Sequence, residues 1–158
     1  MSAGNNSHGT SAYDFRIDGK HVDPTPMPNS IPHVEEVGAT SAPLLSASFF
    51  LGEYCRPYFE DFMLSKAENP DPAHSLKEGR KVTRCATDFL AKLKEKCGDE
   101  YEAHWKCLDV NNHEFYYCRP VEKKFNSCVL KAFNLKKTIP EAPEHLEPIH
   151  EKKNPIFY

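Results

Sequence analysis

The chain has 158 residues, with 20 basic and 23 acidic side chains and a net charge of −3. That is room for one small domain with tails and too little for two ordinary domains. The mixed, nearly balanced charge excludes the basic footprint of a nucleic-acid binder.

Proline marks the boundaries. Of 13 prolines, five lie between Pro24 and Pro43 and four between Pro140 and Pro155, while all six cysteines and the single Trp105 fall within residues 55–128. The middle block is therefore read as the folded part. The first segment, residues 1–40, is expected to be an extended or disordered arm, because its low apolar content cannot offset the entropy of ordering it. It is neither basic nor arginine-rich, so it does not read as a matrix presequence, and no secretory signal is recognisable.

Residues 41–54 follow as a short docking helix. The run VGATSAPLLSASFFLG (37–52) is charge-free but only 16 residues long and interrupted by Pro43. A membrane span needs about 20 predominantly apolar residues. The segment is expected to enter the core, with docking on a membrane surface or another subunit as the alternative.

Next comes CRPYFEDFMLS, from Cys55 to Ser65, which recurs downstream as CRPVEKKFNSC, from Cys118 to Cys128. A ten-residue step on a helix falls roughly 80° short of three turns and rises about 15 Å. Two cysteines so spaced share one side of a helix but are too far apart to bond each other, since a disulfide needs Cα atoms within about 7 Å. Each must find its partner on a second helix. In an antiparallel pair, the inner positions meet near the loop and the outer ones at the open end. Applied to residues 55–85, this pairs Cys55 with Cys85 and brings Ser65 opposite Ser75, with the turn signals Asn69-Pro70 and Asp71-Pro72 between them. Both inner positions hold serine, as if one disulfide had been removed as a unit. Ser75 with Glu78 also reads as a capping box.

Residues 86–128 comprise a connecting helix and a second hairpin. Leu76, Val82, Cys85, Phe89, Leu90, Leu93 and Cys97 recur at helical spacing, and Gly98 offers a stop. Asp99 and Glu102 have capping-box spacing before Tyr101, Trp105 and Leu108. Asn111 and Asn112 supply a turn, and Pro120 starts or kinks a helix whose stripe is Val121, Phe125, Val129 and Ala132. Cys97 to Cys107 and Cys118 to Cys128 each enclose nine residues, so the hairpin rule pairs Cys107 with Cys118 and Cys97 with Cys128. A Cys85–Cys97 bond is excluded, because one helix would hold them roughly 18 Å apart. Residues 129–158 form a proline-rich C-terminal arm ending in Ile156-Phe157-Tyr158. It is read as a strap over a partner, with a disordered tail as the alternative.

Structural disulfides require an oxidising compartment. With that, the paired C-x9-C hairpins resemble the CHCH (twin CX9C) family of the mitochondrial intermembrane space. The double hairpin, over roughly residues 40–130, is similar to members that serve as accessory subunits of mitochondrial NADH:ubiquinone oxidoreductase, respiratory complex I. Such members usually carry eight cysteines in four motifs; here Ser65 and Ser75 stand at two of those positions. The resemblance implies an all-α fold of two disulfide-stapled helical hairpins joined through a long helix, with extended terminal arms. It also implies a structural subunit on the intermembrane-space side of the inner membrane, peripheral and not spanning. The implied partners are other complex I subunits and, during biogenesis, the oxidative import machinery.

The residues suggest no catalysis. No nucleophile–base pair, phosphate loop or C-x-x-C is present, and no cofactor is expected. His104-Trp105-Lys106-Cys107 is the nearest imitation of a metal pair, without the second pair that a zinc site needs. His8, His21, His33 and His150 fall in the arms. The rival readings are a thiol oxidoreductase, which would need a reactive cysteine pair, a free assembly factor of the same compartment, and a secreted hairpin protein.

Overall fold

The computed structural model describes residues 27–143 and 145–152, together with the backbone of two short strands, Arg16–Ile17 (β1) and Lys20–His21 (β2). The two strands pair antiparallel, Arg16 with His21 and Ile17 with Lys20. They belong to a unit spanning residues 1–31, separate from the unit of residues 32–158. Most of the expected N-terminal arm and the terminal Ile156-Phe157-Tyr158 lie outside the described residues.

The second unit is all-α. Its elements are α1 (Ser41–Tyr54), α2 (Arg56–Glu68), α3 (Leu76–Val110), a 3₁₀ turn (Phe115–Cys118) and α4 (Arg119–Phe133). Helix α1 cannot continue into α2, because Pro57 lacks the N–H that would close the next turn. Asn69-Pro70 stops α2. In the loop that follows, the Asn69 side chain accepts a hydrogen bond from the Asp71 N–H, and Asp71 accepts one from the Ala73 N–H. Between α3 and α4 the chain reverses through Asn112 and His113, both at positive φ. The Asn111 side chain donates to the Cys107 carbonyl at 2.8 Å, beside the bond that carbonyl already accepts from the Asn111 N–H at 3.1 Å, so one residue closes the helix end twice. Asn134, in the left-handed region, ends α4.

Helix α3 is the spine on which α1, α2 and α4 all pack. It is interrupted at Cys97, whose φ of −132° and ψ of 33° are not helical. The break sits one residue before Gly98, the stop signal in the sequence. Helical spacing assembles the core: Ala47 and Phe50 from α1, Phe89, Leu93, Cys97 and Tyr101 from α3, and Phe125 and Val129 from α4. Phe50 meets Phe125 edge to face at 5.6 Å, and Tyr101 lies 5.6 Å from the same ring. Helix α1 thus turns Ala42, Ser46, Ala47 and Phe50 into its own chain. Among the described residues, no helix is long and apolar enough to cross a membrane.

Neither capping box forms. Ser75 stands at the N-cap of α3 without a side-chain cap bond. Glu102 lies within the helix and pairs with Lys106 at 2.5 Å, which holds its carboxyl below the usual range. The break at Cys97 comes too early for Asp99 to act as a cap. Helix α4 also runs to Phe133, five residues past the closing cysteine at which the arm was expected to begin. Its next turn carries Val129 and Ala132, which complete the core stripe.

Candidate functional site: disulfide framework and a buried ion cluster

Three disulfides hold the helices. Cys55 is bonded to Cys85, Cys97 to Cys128 and Cys107 to Cys118, with Cα separations of 6.0, 6.0 and 5.8 Å. Each cysteine is placed by a helix end or a helix face. Cys55 is the junction of α1 and α2, Cys97 the break in α3, and Cys118 the N-cap of α4. Cys55, Cys97 and Cys118 are all buried. No cysteine is left free. The Asn111 amide that caps α3 also lies 3.5 Å from the Cys107 sulfur and 3.8 Å from the Cys118 sulfur, so one side chain closes both the turn and its staple.

The first hairpin is held at one end only. Helix α2 buries no residue, and Tyr58, Met63 and Leu64 on it are exposed. Phe62 lies over Gly79, where an added Cβ would sit 3.5 Å from its ring. Position 62 is seven residues after Cys55, and position 79 is six before Cys85. That register carries Ser65 towards the start of α3, where Ser75 is buried.

The second hairpin contains a polar arrangement that its cysteine spacing does not announce. Glu122 on α4 is 1 % exposed. Lys137 donates to it at 2.6 Å and Arg119 at 2.5 Å. The Lys137 ammonium also sits 4.0 Å from the centre of the Phe49 ring and 4.5 Å from that of Phe115, an aromatic cage built by α1 and the 3₁₀ turn. Burial pushes the Lys137 pKa down, opposed by the hydrogen bond to Glu122. His150 is buried nearby, and burial lowers its pKa as well. The segment after α4 therefore folds back onto its own hairpin through Lys137 and His150.

A second set of polar bonds ties α1 to the hairpin. The His104 ring nitrogen Nδ1 is 2.8 Å from the Ser46 hydroxyl, and the ring stacks on Phe125 at 5.4 Å. Desolvation pushes the His104 pKa down to about 4, so the ring is neutral near pH 7. Tyr101 donates to the Pro43 carbonyl at 3.0 Å, and burial raises its pKa to about 12. Ser41 and His113 complete the set at 3.0 Å. His104 thus serves the core, apart from any metal pair with Cys107. Among the described residues, no group of three His, Cys, Asp or Glu side chains converges to hold a metal ion.

One signal for the ion cluster is present in the sequence. Glu122 precedes Phe125 by three and Val129 by seven, which places a carboxylate on the apolar stripe, where it requires a cation. No periodicity identifies Lys137 as that cation.

Comparison with known proteins gives a consistent answer. No family model matches the chain. It is 48 % identical over 137 residues to the NADH-ubiquinone oxidoreductase 20.8 kDa subunit of Neurospora crassa, covering 85 % of this chain and 75 % of that protein. It is 34 % identical over 93 residues to NADH dehydrogenase (ubiquinone) 1 alpha subcomplex subunit 8-A of Arabidopsis thaliana, covering 58 % of this chain and 86 % of that one. Subunit 8-B of the same plant matches at 34 % over 93 residues. With its stapled helical hairpins and this degree of identity, the chain belongs to the family of NADH dehydrogenase (ubiquinone) 1 alpha subcomplex subunit 8.

Proposed function

We propose that the chain is a non-catalytic structural accessory subunit of mitochondrial respiratory complex I. It sits on the intermembrane-space face of the membrane arm, peripheral to the inner membrane, and supports assembly and stability of the complex. The observation that carries this reading is the 48 % identity, over 85 % of the chain, to a protein named as a subunit of NADH-ubiquinone oxidoreductase. The intermembrane-space face is supported by chemistry: three structural disulfides persist only where thiols are oxidised.

In this reading residues 55–85 and 86–128 are two hairpins with separate duties. The pairs Cys55–Cys85, Cys97–Cys128 and Cys107–Cys118 are structural staples formed with the oxidative import machinery. Ser65 and Ser75 occupy the place of a lost inner staple. In the chain-entropy description each outer bridge, closing about 30 residues, contributes about 3.5 kcal/mol, and the inner one nearer 3 kcal/mol. For so small a core, staples of that size decide whether the fold persists.

The test is native-size fractionation of gently solubilised mitochondria, following the chain by mass spectrometry. A structural subunit co-migrates with NADH dehydrogenase activity in one large assembly, at constant ratio to the other subunits. Protease treatment after rupture of the outer membrane should then remove it. A chain that runs mainly as a small free species would instead be an assembly factor, and the subunit reading would fail.

A further inference from the structure

Charge is segregated along this chain. Although the whole carries a net −3, residues 119–137 hold six bases, Arg119, Lys123, Lys124, Lys131, Lys136 and Lys137, against a single acid, Glu122. That acid is buried and already paired with Lys137 and Arg119. It cannot answer the charge on the outer face of α4. The remaining lysines are exposed, and Lys124 and Lys131 make no ion pair with any described residue.

These lysines converge on a groove of about 610 Å³ between α3 and α4. Lys96 contributes from α3, and Lys123, Lys124 and Lys131 from α4; Glu100 is the one carboxylate on its wall. Cys128 and Ala132 form an apolar floor. On the other flank of α4, Lys123 and Ser127 also line a second groove, which adds Lys136. There Glu151 pairs with Lys136 at 3.3 Å. The apolar stripe of α4 is consumed by the core through Phe125 and Val129. Leu130 is the one large apolar side chain of α4 that stands exposed, so the outer face offers charge with little hydrophobic surface to insert.

We propose that this lysine-lined face of α4 docks the phosphate headgroups of anionic phospholipids, holding the chain against a membrane surface without insertion. The chemistry fits in three respects. Four lysines line one groove, Lys123 also donating to the Lys152 carbonyl at 3.0 Å, and separate charges so spread match the several phosphates of a lipid surface better than one compact ligand. Lysine is a point charge on a flexible stem, suited to headgroups that present no fixed geometry. Clusters of four or more cations on one helix face attract anionic leaflets, each charge strengthening binding by roughly five-fold. An acidic protein segment is the competing occupant, and the experiment separates the two.

The full oxidised chain is floated with phosphatidylcholine vesicles and with vesicles that also contain phosphatidylglycerol. Binding is expected on the anionic vesicles alone, weakening as salt is raised. The triple variant K123Q/K124Q/K131Q should lose on the order of a hundred-fold in partition. A control of equal charge change on the first hairpin, K66Q/K77Q/K81Q, should stay close to the parent. Circular dichroism and the disulfide map check that both variants fold. Equal loss in the two triples, or no binding to anionic vesicles by the parent chain, overturns the proposal. If the parent ignores vesicles while K123Q/K124Q/K131Q alone drops out of the native assembly, the groove belongs to an acidic protein partner. The vesicle assay needs no assembled complex, so its failure leaves the subunit reading intact, and failure to co-migrate leaves the vesicle result intact.

Discussion

The two hairpins share a plan and differ in what holds them. The second is stapled at both ends, by Cys97–Cys128 and Cys107–Cys118, and is packed by Phe125 and Val129. It also encloses a buried ion cluster and receives α1 across three polar bonds. The first has one staple, at its open end, and a helix α2 that buries nothing. Two uses of one motif have thus diverged: the second hairpin, with α1, is the structural core, while the first is an appendage of α3 fixed at Cys55. The lesson is that the C-x9-C step specifies where helices meet, whereas burial specifies how firmly.

That difference predicts unequal responses to equal chemistry. Replacing Cys97 and Cys128 together by serine removes a loop of the same size as replacing Cys55 and Cys85, about 3.5 kcal/mol in the entropy description. Cys97, however, lies in the core beside Tyr101 and Phe125. The first pair of substitutions is expected to abolish cooperative thermal unfolding and accumulation in mitochondria; the second should leave a transition and loosen only α2. Circular dichroism melts of the two double variants make the comparison.

Within the second hairpin, Glu122→Ala should destabilise by about 3–5 kcal/mol, because it strands two cations in a buried site. The double variant E122M/K137M should recover much of that loss, measured by denaturant unfolding. In the first hairpin, adding Cys at positions 65 and 75 (S65C/S75C) should close a fourth disulfide and stabilise by about 3 kcal/mol. Thiols that remain free under oxidising conditions would show that Ser65 and Ser75 do not face each other.

Smaller effects concern the α1 contact. Ser46→Ala should cost about 1–3 kcal/mol by removing the partner of a buried histidine. Burial of the His104 ring gives stability a pH dependence of defined sign. His104 titrates near 4 in the folded chain against an ordinary value of 6.5. Between those values the unfolded chain binds the extra proton, so stability falls as pH drops from about 6.5 to about 4. His150, also lowered by burial, acts in the same direction. Pairing Ser46→Ala with His104→Phe should flatten part of that slope in thermal melts taken across the range.

What could be read from the sequence follows from what is periodic. Cysteines ten apart, apolar residues at three and four, and Asn-Pro and Asn-Asn turns are local, and they place the four helices, the interruption beside Gly98 and the core stripe of α4. The ion cluster is not local. Glu122 announces itself as a carboxylate on an apolar stripe, but its cation is 15 residues on, past the end of the helix, in a segment without pattern. Ser46 and His104 meet across 58 residues, and neither is unusual in its own helix. The capping boxes at Ser75 and Asp99 failed for the opposite reason: both fit a local rule, but helix packing and the break at Cys97 decided the termini.

The most direct test is hydrogen exchange on the full, oxidised chain. Slow exchange is expected through α1, the part of α3 after Cys97 and α4, with α2 exchanging markedly faster despite its intact Cys55–Cys85 bond. Protection of α2 equal to that of α4 would contradict that expectation. The first hairpin would then be as firmly built as the second, and the division into a core and an appendage would have to be abandoned.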